Sequence, residues 1–313
     1  MAGRGRADFA APRVQNVRID AGSDGQRLDN FLAKVLKGVP RAHLHRVIRS
    51  GEVRVNSGRA AADTRLALGD EVRIPPVRVA DRSERPEAPG REFIVVHEDD
   101  ALVCIDKPAG VAVHGGSGIA HGVIESLRSM RPDARFLELV HRLDRETSGV
   151  LLVAKKRSAL TALHEKLRER DMDKRYLVGV AGRFRNEKQR VKLALAKRDA
   201  PDGGKRVSVS ETGQEAETVF RLRERRDDMS LLEAELLTGR THQIRVHLAH
   251  LKHPVLGDDK YGDFELNKSL RKEGLKRMFL HAAKLGLDHP VTRERIQLES
   301  PLPADLKRFW EKA

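Results

Sequence analysis

The stretch that most constrains this chain lies between Phe136 and Ala154. Apolar Phe136, Leu137, Leu139 and Val140 lead into His141-Arg142-Leu143-Asp144-Arg145-Glu146-Thr147-Ser148-Gly149, and these nine residues into Val150-Leu151-Leu152-Val153-Ala154. The last run is short, β-branched and closed by Lys155, which predicts a buried strand. A polar segment is thereby set against a hydrophobic floor. Its carboxylate, Asp144, stands between Arg142 and Arg145. Nearby cations favour the ionised form, so Asp144 is expected to be charged and held by hydrogen bonds. An ionised, oriented carboxylate can be a nucleophile. It can equally be half of a structural ion pair beside a turn.

The 313 residues suffice for one sizeable core and a smaller module. Lys and Arg number 60 against 46 Asp and Glu, a net charge of +14. That excess favours a polyanionic partner through phosphate contacts and counterion release, with an anionic membrane surface as the competing explanation. No apolar run reaches the roughly 18 residues of a spanning helix, and the N-terminus has no signal-like apolar core. A cytoplasmic protein without membrane contact is expected. The single cysteine, Cys104, excludes an intramolecular disulfide and a Cys-based zinc site, and its apolar neighbours predict a small core residue. Aromatics at 4% argue against a broad stacking platform for single strands.

Taken in order, residues 1–16 read as a disordered basic tail. From 17 to 80 the pattern is compact. Leu28, Phe31, Leu32, Val35 and Leu36 predict a helix with Asp24 as N-cap and Gly38 as stop, and a second helix after Pro40 carries Leu44, Val47 and Ile48. Alternating segments at 51–58 and 69–74 predict strands, ended by Pro75-Pro76. Residues 1–80 hold 15 Lys and Arg against 8 Asp and Glu, half of the excess charge on a quarter of the chain. Residues 81–92 are polar, proline-containing and aperiodic, as a linker is. The second domain, 93–313, opens with apolar runs at 93–96 and 101–105 around an acidic turn. The glycine-rich stretch 113–118 has no nucleotide-cradle spacing and reads as a mobile loop. Leu160 to Arg170 predicts an amphipathic helix, and 174–180 a strand with a basic entrance. Residues 191–219 predict strands joined by a turn at 201–204. Another strand at 230–237 ends in Thr238-Gly239-Arg240-Thr241-His242-Gln243-Ile244-Arg245, where the period turns helical. His247, His250 and His253 fall three apart, but no carboxylate accompanies them and Pro254 should end the helix, so no metal site is expected.

The nine-residue motif resembles the HRLD[RK]xTSG signature of the pseudouridine synthases that modify ribosomal RNA. The resemblance runs from about Arg18 to the C-terminus and includes the K-P-x-G segment at Lys107–Gly110, the G-R-T-H-Q-[IL]-R segment at Gly239–Arg245 and Met278–Ala283. It implies an α+β fold: a catalytic domain with a mostly antiparallel central sheet, plus a small S4-type RNA-binding domain whose second helix offers Arg41, Arg46 and Arg49 to RNA. It implies isomerisation of specific uridines of 23S rRNA, three sites near the peptidyl-transferase centre, by a monomer without a cofactor. Asp144 would be the catalytic aspartate, Arg245 its ion-pair partner and Tyr176 the aromatic wall. Arg142, Lys174 and His141 would serve base flipping and RNA contact. Asp171 and Asp173 depart from the family by making the approach to Lys174 acidic. A base-excising hydrolase is the rival enzyme class and would need a second carboxylate, for which Glu146 is the local candidate. A non-enzymatic RNA-binding factor would need neither Asp144, Tyr176 nor Arg245.

Overall fold

The computed structural model describes residues 13–36, 39–77, 90–115, 121–199 and 205–312. The chain divides into two units, Met1–Glu87 and Ala88–Ala313. Residues 1–12, most of the expected linker and the expected turn at 201–204 lie outside the described residues.

The first unit runs β1 (Gln15–Arg18), α1 (Leu28–Val35), α2 (Arg41–Arg49), β2 (Arg54–Val55), β3 (Gly58–Arg59) and β4 (Glu71–Ile74), with an antiparallel sheet of order β1-β4-β2-β3. Leu28, Phe31 and Leu32 of α1 meet Leu44, Val47 and Ile48 of α2 over Val72 and Ile74. Asn56 and Ser57 both take positive φ, so a two-residue turn reverses β2 into β3 with the twist a hairpin needs. Three expectations are corrected. Gln15 and Asn16, assigned to the tail, pair with Ile74 and Arg73. Asp24 is not the N-cap of α1; Arg27 is, while the Asp24 carboxylate accepts from Leu68 N at 3.0 Å and ties two loops together. Val35 shares the spacing of the apolar face but lies exposed at the helix end.

The second unit is built on one large sheet. Its elements are β5 (Ile94–Glu98), β6 (Leu102–Lys107), α3 (Val123–Met130), β7 (Glu138–Leu139), β8 (Ser148–Ala154), α4 (Arg157–Glu169), β9 (Asp173–Ala181), β10 (Lys188–Lys192), β11 (Leu195–Asp199), β12 (Lys205–Val209), β13 (Glu217–Arg225), β14 (Met229–Leu236), α5 (Gln243–His250), α6 (Phe264–Lys272), β15 (Leu280–Asp288), β16 (Arg295–Glu299) and α7 (Ala304–Lys312). The order is β10-β13-β14-β9-β15-β8-β6-β5, with β16 added to β15 and β7 to β8. Among the described residues every strand pairing is antiparallel except β8 with β15. The fold is α+β, as expected. The hairpin β11–β12 stands apart as a two-stranded sheet.

β8 is buried along its whole length. Alternation sends Leu151 and Val153 into one core, and Val150, Leu152 and Ala154 into another on the opposite face, where Ala159, Leu160 and Leu163 of α4 cover them. Cys104 is buried in that second core. α7 closes a third cluster, with Trp310 edge-on to Phe279 at 5.9 Å.

The parallel seam is tight. Gly149 has φ +110 and pairs with Ala282, whose carbonyl oxygen lies 2.1 Å from where a Cβ would stand. A side chain there would force two central strands apart and strain the backbone. Gly149→Ala is expected to cost at least about 3 kcal/mol, read as a lowered denaturation midpoint; a wild-type midpoint would show that the seam can open.

Candidate active site

The polar motif leaves the sheet at the head of β8 and forms one wall of a cavity of about 520 Å³. The opposite wall is the turn 236–242 and the first residues of α5, and Tyr176 of β9 and Leu280 of β15 contribute between them. That turn is pinned from below by Gln243, which is buried. Its Oε1 accepts from Thr238 Oγ1 and Arg240 N, and its Nε2 donates to Glu217 O and Thr218 Oγ1. With Gln243 so fixed, Arg245 on the next half-turn points into the cavity.

Arg245 is held from two sides. Its Nε and Nη2 donate to the two carboxylate oxygens of Asp258 at 2.6 and 2.7 Å, and its Nη1 donates to Asp144 Oδ2 at 3.1 Å. The guanidinium also lies over the Tyr261 ring, 5.0 Å from its centroid. Burial alone would push the Asp258 carboxyl up, but the hydrogen bonds and charge of Arg245, with the N–H groups of Lys260 and Tyr261, hold it below the usual carboxylate range. Burial works against the Arg245 cation too, and Asp258 and then Asp144 more than restore it. The cation that meets Asp144 is therefore not a flanking one. Arg145 turns to Glu146 at 2.7 Å, and Arg142 extends exposed along the cavity wall. Asp258 was not singled out from sequence. No spacing links it to Arg245, and a buried acid thirteen residues away carries no local signal.

The other expected residues are placed as follows. Tyr176 lies against the cavity, with burial first and the Asp144 charge second raising its phenol above the usual range. Lys174 lines the same wall, and burial, with Arg170 adding to it, lowers its ammonium. His141 is half-buried and accepts Leu152 N at Nε2 (3.1 Å), so its ring braces β8 and carries its proton on Nδ1; burial and then Lys174 lower it to about 4. Arg41, Arg46 and Arg49 belong to the first unit, all exposed on α2. Asp171 pairs with Lys166 and Asp173 with Arg175, so the acidic departure is matched by local cations. His247 engages Thr218 Oγ1 and Leu193 O, and His253 engages Ala181 O. His247 and His253 thus serve separate contacts, and among the described residues no cluster of His, Cys, Asp or Glu could hold a metal ion.

Lys107 supports the loop from beneath. Its fully buried Nζ donates to the carbonyls of Pro108, Val111 and Arg145 at 2.9, 2.8 and 3.1 Å, three acceptors for three ammonium hydrogens. Burial lowers the group to about 7, opposed by Glu146 and Asp144. Lys107→Met takes the ammonium from three carbonyls; Arg145 O keeps the Gly110 N–H at 2.8 Å, and Pro108 O and Val111 O lose this donor. The expected result is a loss of about 2 to 4 kcal/mol, read as a lowered denaturation midpoint. Wild-type stability in that variant would show that water replaces the ammonium.

Among the described residues lining the cavity, Asp144 is the single carboxylate, facing Arg142, Arg168, Arg170, Lys174, Arg240 and Arg245. One anion among six cations, on a mostly antiparallel α+β sheet, defines a site for an anionic substrate with a single acidic group at the chemistry. Residues 101–250 match the RNA pseudouridylate synthase family and residues 26–72 the S4 domain. The chain belongs to the RNA pseudouridylate synthase family and carries an S4 domain. It is 50% identical over 309 residues to ribosomal large subunit pseudouridine synthase C of Escherichia coli K12, covering 96% of this chain and 97% of that protein. The corresponding synthase C of Pasteurella multocida is 47% identical over 302 residues, with 95% and 93% covered. Two solved human structures share the fold: RNA pseudouridylate synthase domain containing 1 (26% identity, TM-score 0.57, 68% of this chain and 86% of that one) and domain containing 4 (27%, 0.58, 70% and 92%).

Proposed function

We propose that this chain isomerises uridines of 23S rRNA to pseudouridine, with Asp144 as the reacting carboxylate and no cofactor. The observation that carries the reading is the position of Asp144: the single acid among the described residues lining a cavity of about 520 Å³, paired with Arg245 and facing Tyr176. A cavity of this size accommodates a small ligand such as one flipped nucleotide. In the reaction the N1–C1′ bond breaks, the uracil turns, and C5 bonds to C1′. The C5 proton is lost and N1 gains one, so redox state and composition are unchanged. Asp144 initiates the bond cleavage, Arg245 holds and aims it, and the Tyr176 ring retains the detached base. Arg142 fills the space that the flipped base vacates, with Lys174 on the adjoining wall. The basic face of α2, with Arg41, Arg46 and Arg49, contributes phosphate contacts.

A base-excising hydrolase fits less well. It needs a second carboxylate as proton donor, and Glu146, bonded to Arg145, is not among the cavity-lining residues.

Large-subunit rRNA carrying tritium at uracil C5, incubated with the protein alone, tests the reading. Tritium in water with intact RNA is expected. Labelled free uracil would indicate hydrolysis instead, and neither product from 23S, 16S or transfer RNA would overturn the activity.

A further inference from the structure

Asp144 has a second neighbour. His242 is the N-cap of α5, held in the left-handed region at φ +55, and its Nε2 lies 3.8 Å from Asp144 Oδ1, the oxygen that Arg245 leaves open. Its other ring nitrogen, Nδ1, is 2.8 Å from Tyr261 Oη. That oxygen also accepts the backbone N–H of Val207, on β12, at 2.9 Å.

These contacts favour one place for the imidazole proton. A backbone amide only donates, so Tyr261 Oη is an acceptor toward Val207 and has its own hydrogen left for His242 Nδ1. A neutral imidazole that accepts at Nδ1 carries its proton on Nε2. The Nε2–H then faces a carboxylate. The opposite tautomer would set a nitrogen lone pair against that anion.

We infer that His242 is a positioning residue for Asp144, its tautomer set by Tyr261 and, through Tyr261, by the Val207 amide of the β11–β12 hairpin. The inference rests on the reading of Asp144 as the reacting carboxylate. Each carboxylate oxygen then has its own donor: a fixed guanidinium at Oδ2 and a neutral N–H at Oδ1. The neutral donor orients the group without adding a second positive charge beside it. At 3.8 Å the N–H approaches Oδ1 without yet bonding to it, and such contacts tighten when substrate closes a site.

Two substitutions separate this role from a merely structural one. His242→Asn keeps a polar group near Tyr261 and suits a left-handed backbone, but removes the donor to Asp144. His242→Gln reaches further and places an N–H where Nε2 stood. Single-turnover isomerisation in His242→Asn is expected to fall about 10- to 100-fold with RNA affinity unchanged, and His242→Gln to recover most of it. His242→Asn at the wild-type rate, or His242→Gln no better than His242→Asn, overturns the proposal. The tautomer is read independently on the full-length protein labelled with ¹⁵N-histidine, the His242 signal being the one lost in His242→Asn. An Nε2–H pattern that becomes mixed in Tyr261→Phe is expected, and an Nδ1–H pattern in the wild type overturns the assignment. Because the spectrum needs no turnover, absence of isomerase activity would count against the functional reading and leave the His242 geometry still decided by it.

Discussion

Asp144→Asn is expected to abolish tritium release from C5-labelled rRNA, by at least about 10⁴-fold, the scale on which losing a reacting nucleophile acts. The substitution preserves size, and the Asn carbonyl oxygen can still accept Arg245 Nη1. It removes the negative charge that makes the group reactive. The fold should be little affected, because Arg245 keeps both of its bonds to Asp258, at 2.6 and 2.7 Å. RNA affinity should hold or rise slightly, since the one anion among the cavity's six cations is gone. Single-turnover rates and direct binding measurements on the same preparation check both halves. A variant that kept more than about 1% of the rate, far above the residual rate left when a nucleophile is lost, would remove Asp144 from the reacting role.

The largest stability effect is expected at Arg245. Arg245→Met leaves the Asp258 carboxylate, wholly buried, without its partner. An uncompensated buried charge costs about 3 to 5 kcal/mol, which for a chain of this size lowers the melting temperature by roughly 10 °C. Activity should be lost with it. Arg245→Met with Asp258→Leu replaces the pair by apolar side chains and should regain most of the stability while remaining inactive. That separates the structural contribution of the pair from its effect on Asp144. The pH dependence has a definite sign. The folded Asp258 carboxyl sits below its usual range. Its contribution is therefore full above the unfolded value near pH ~4 and is lost as pH falls through the folded value. The double variant should lack this acid-side decline. Equal melting temperatures for the wild type and Arg245→Met would mean that water reaches Asp258.

How much of this was legible in the sequence depends on distance along the chain. The burial of Val150–Ala154, the helical periods of α1, α2 and α4, and the excess of basic residues at 1–80 follow from composition and spacing, because side-chain period and backbone geometry are local. The motif residues Asp144, Tyr176 and Arg245 were named from the resemblance of their segments to a family. What determines how they act lies across the fold. Asp144 sits between arginines in the chain but is met by Arg245, 101 residues away, because β8 and α5 approach the same cavity. Arg245 is held by Asp258 and His242 is turned by Tyr261, residues without a motif spacing to announce them. Even a cap went elsewhere: Asp24 looked like the start of a helix and instead bonds Leu68, 44 residues on. Sequence by itself determined which segments must be buried, since that depends on residue type and period, and its motif segments named the side chains for the chemistry through their resemblance to a family. The tertiary structure alone decided which cation meets which carboxylate and which imidazole lies beside it, since hydrogen bonds act over about 3 Å whatever the separation along the chain.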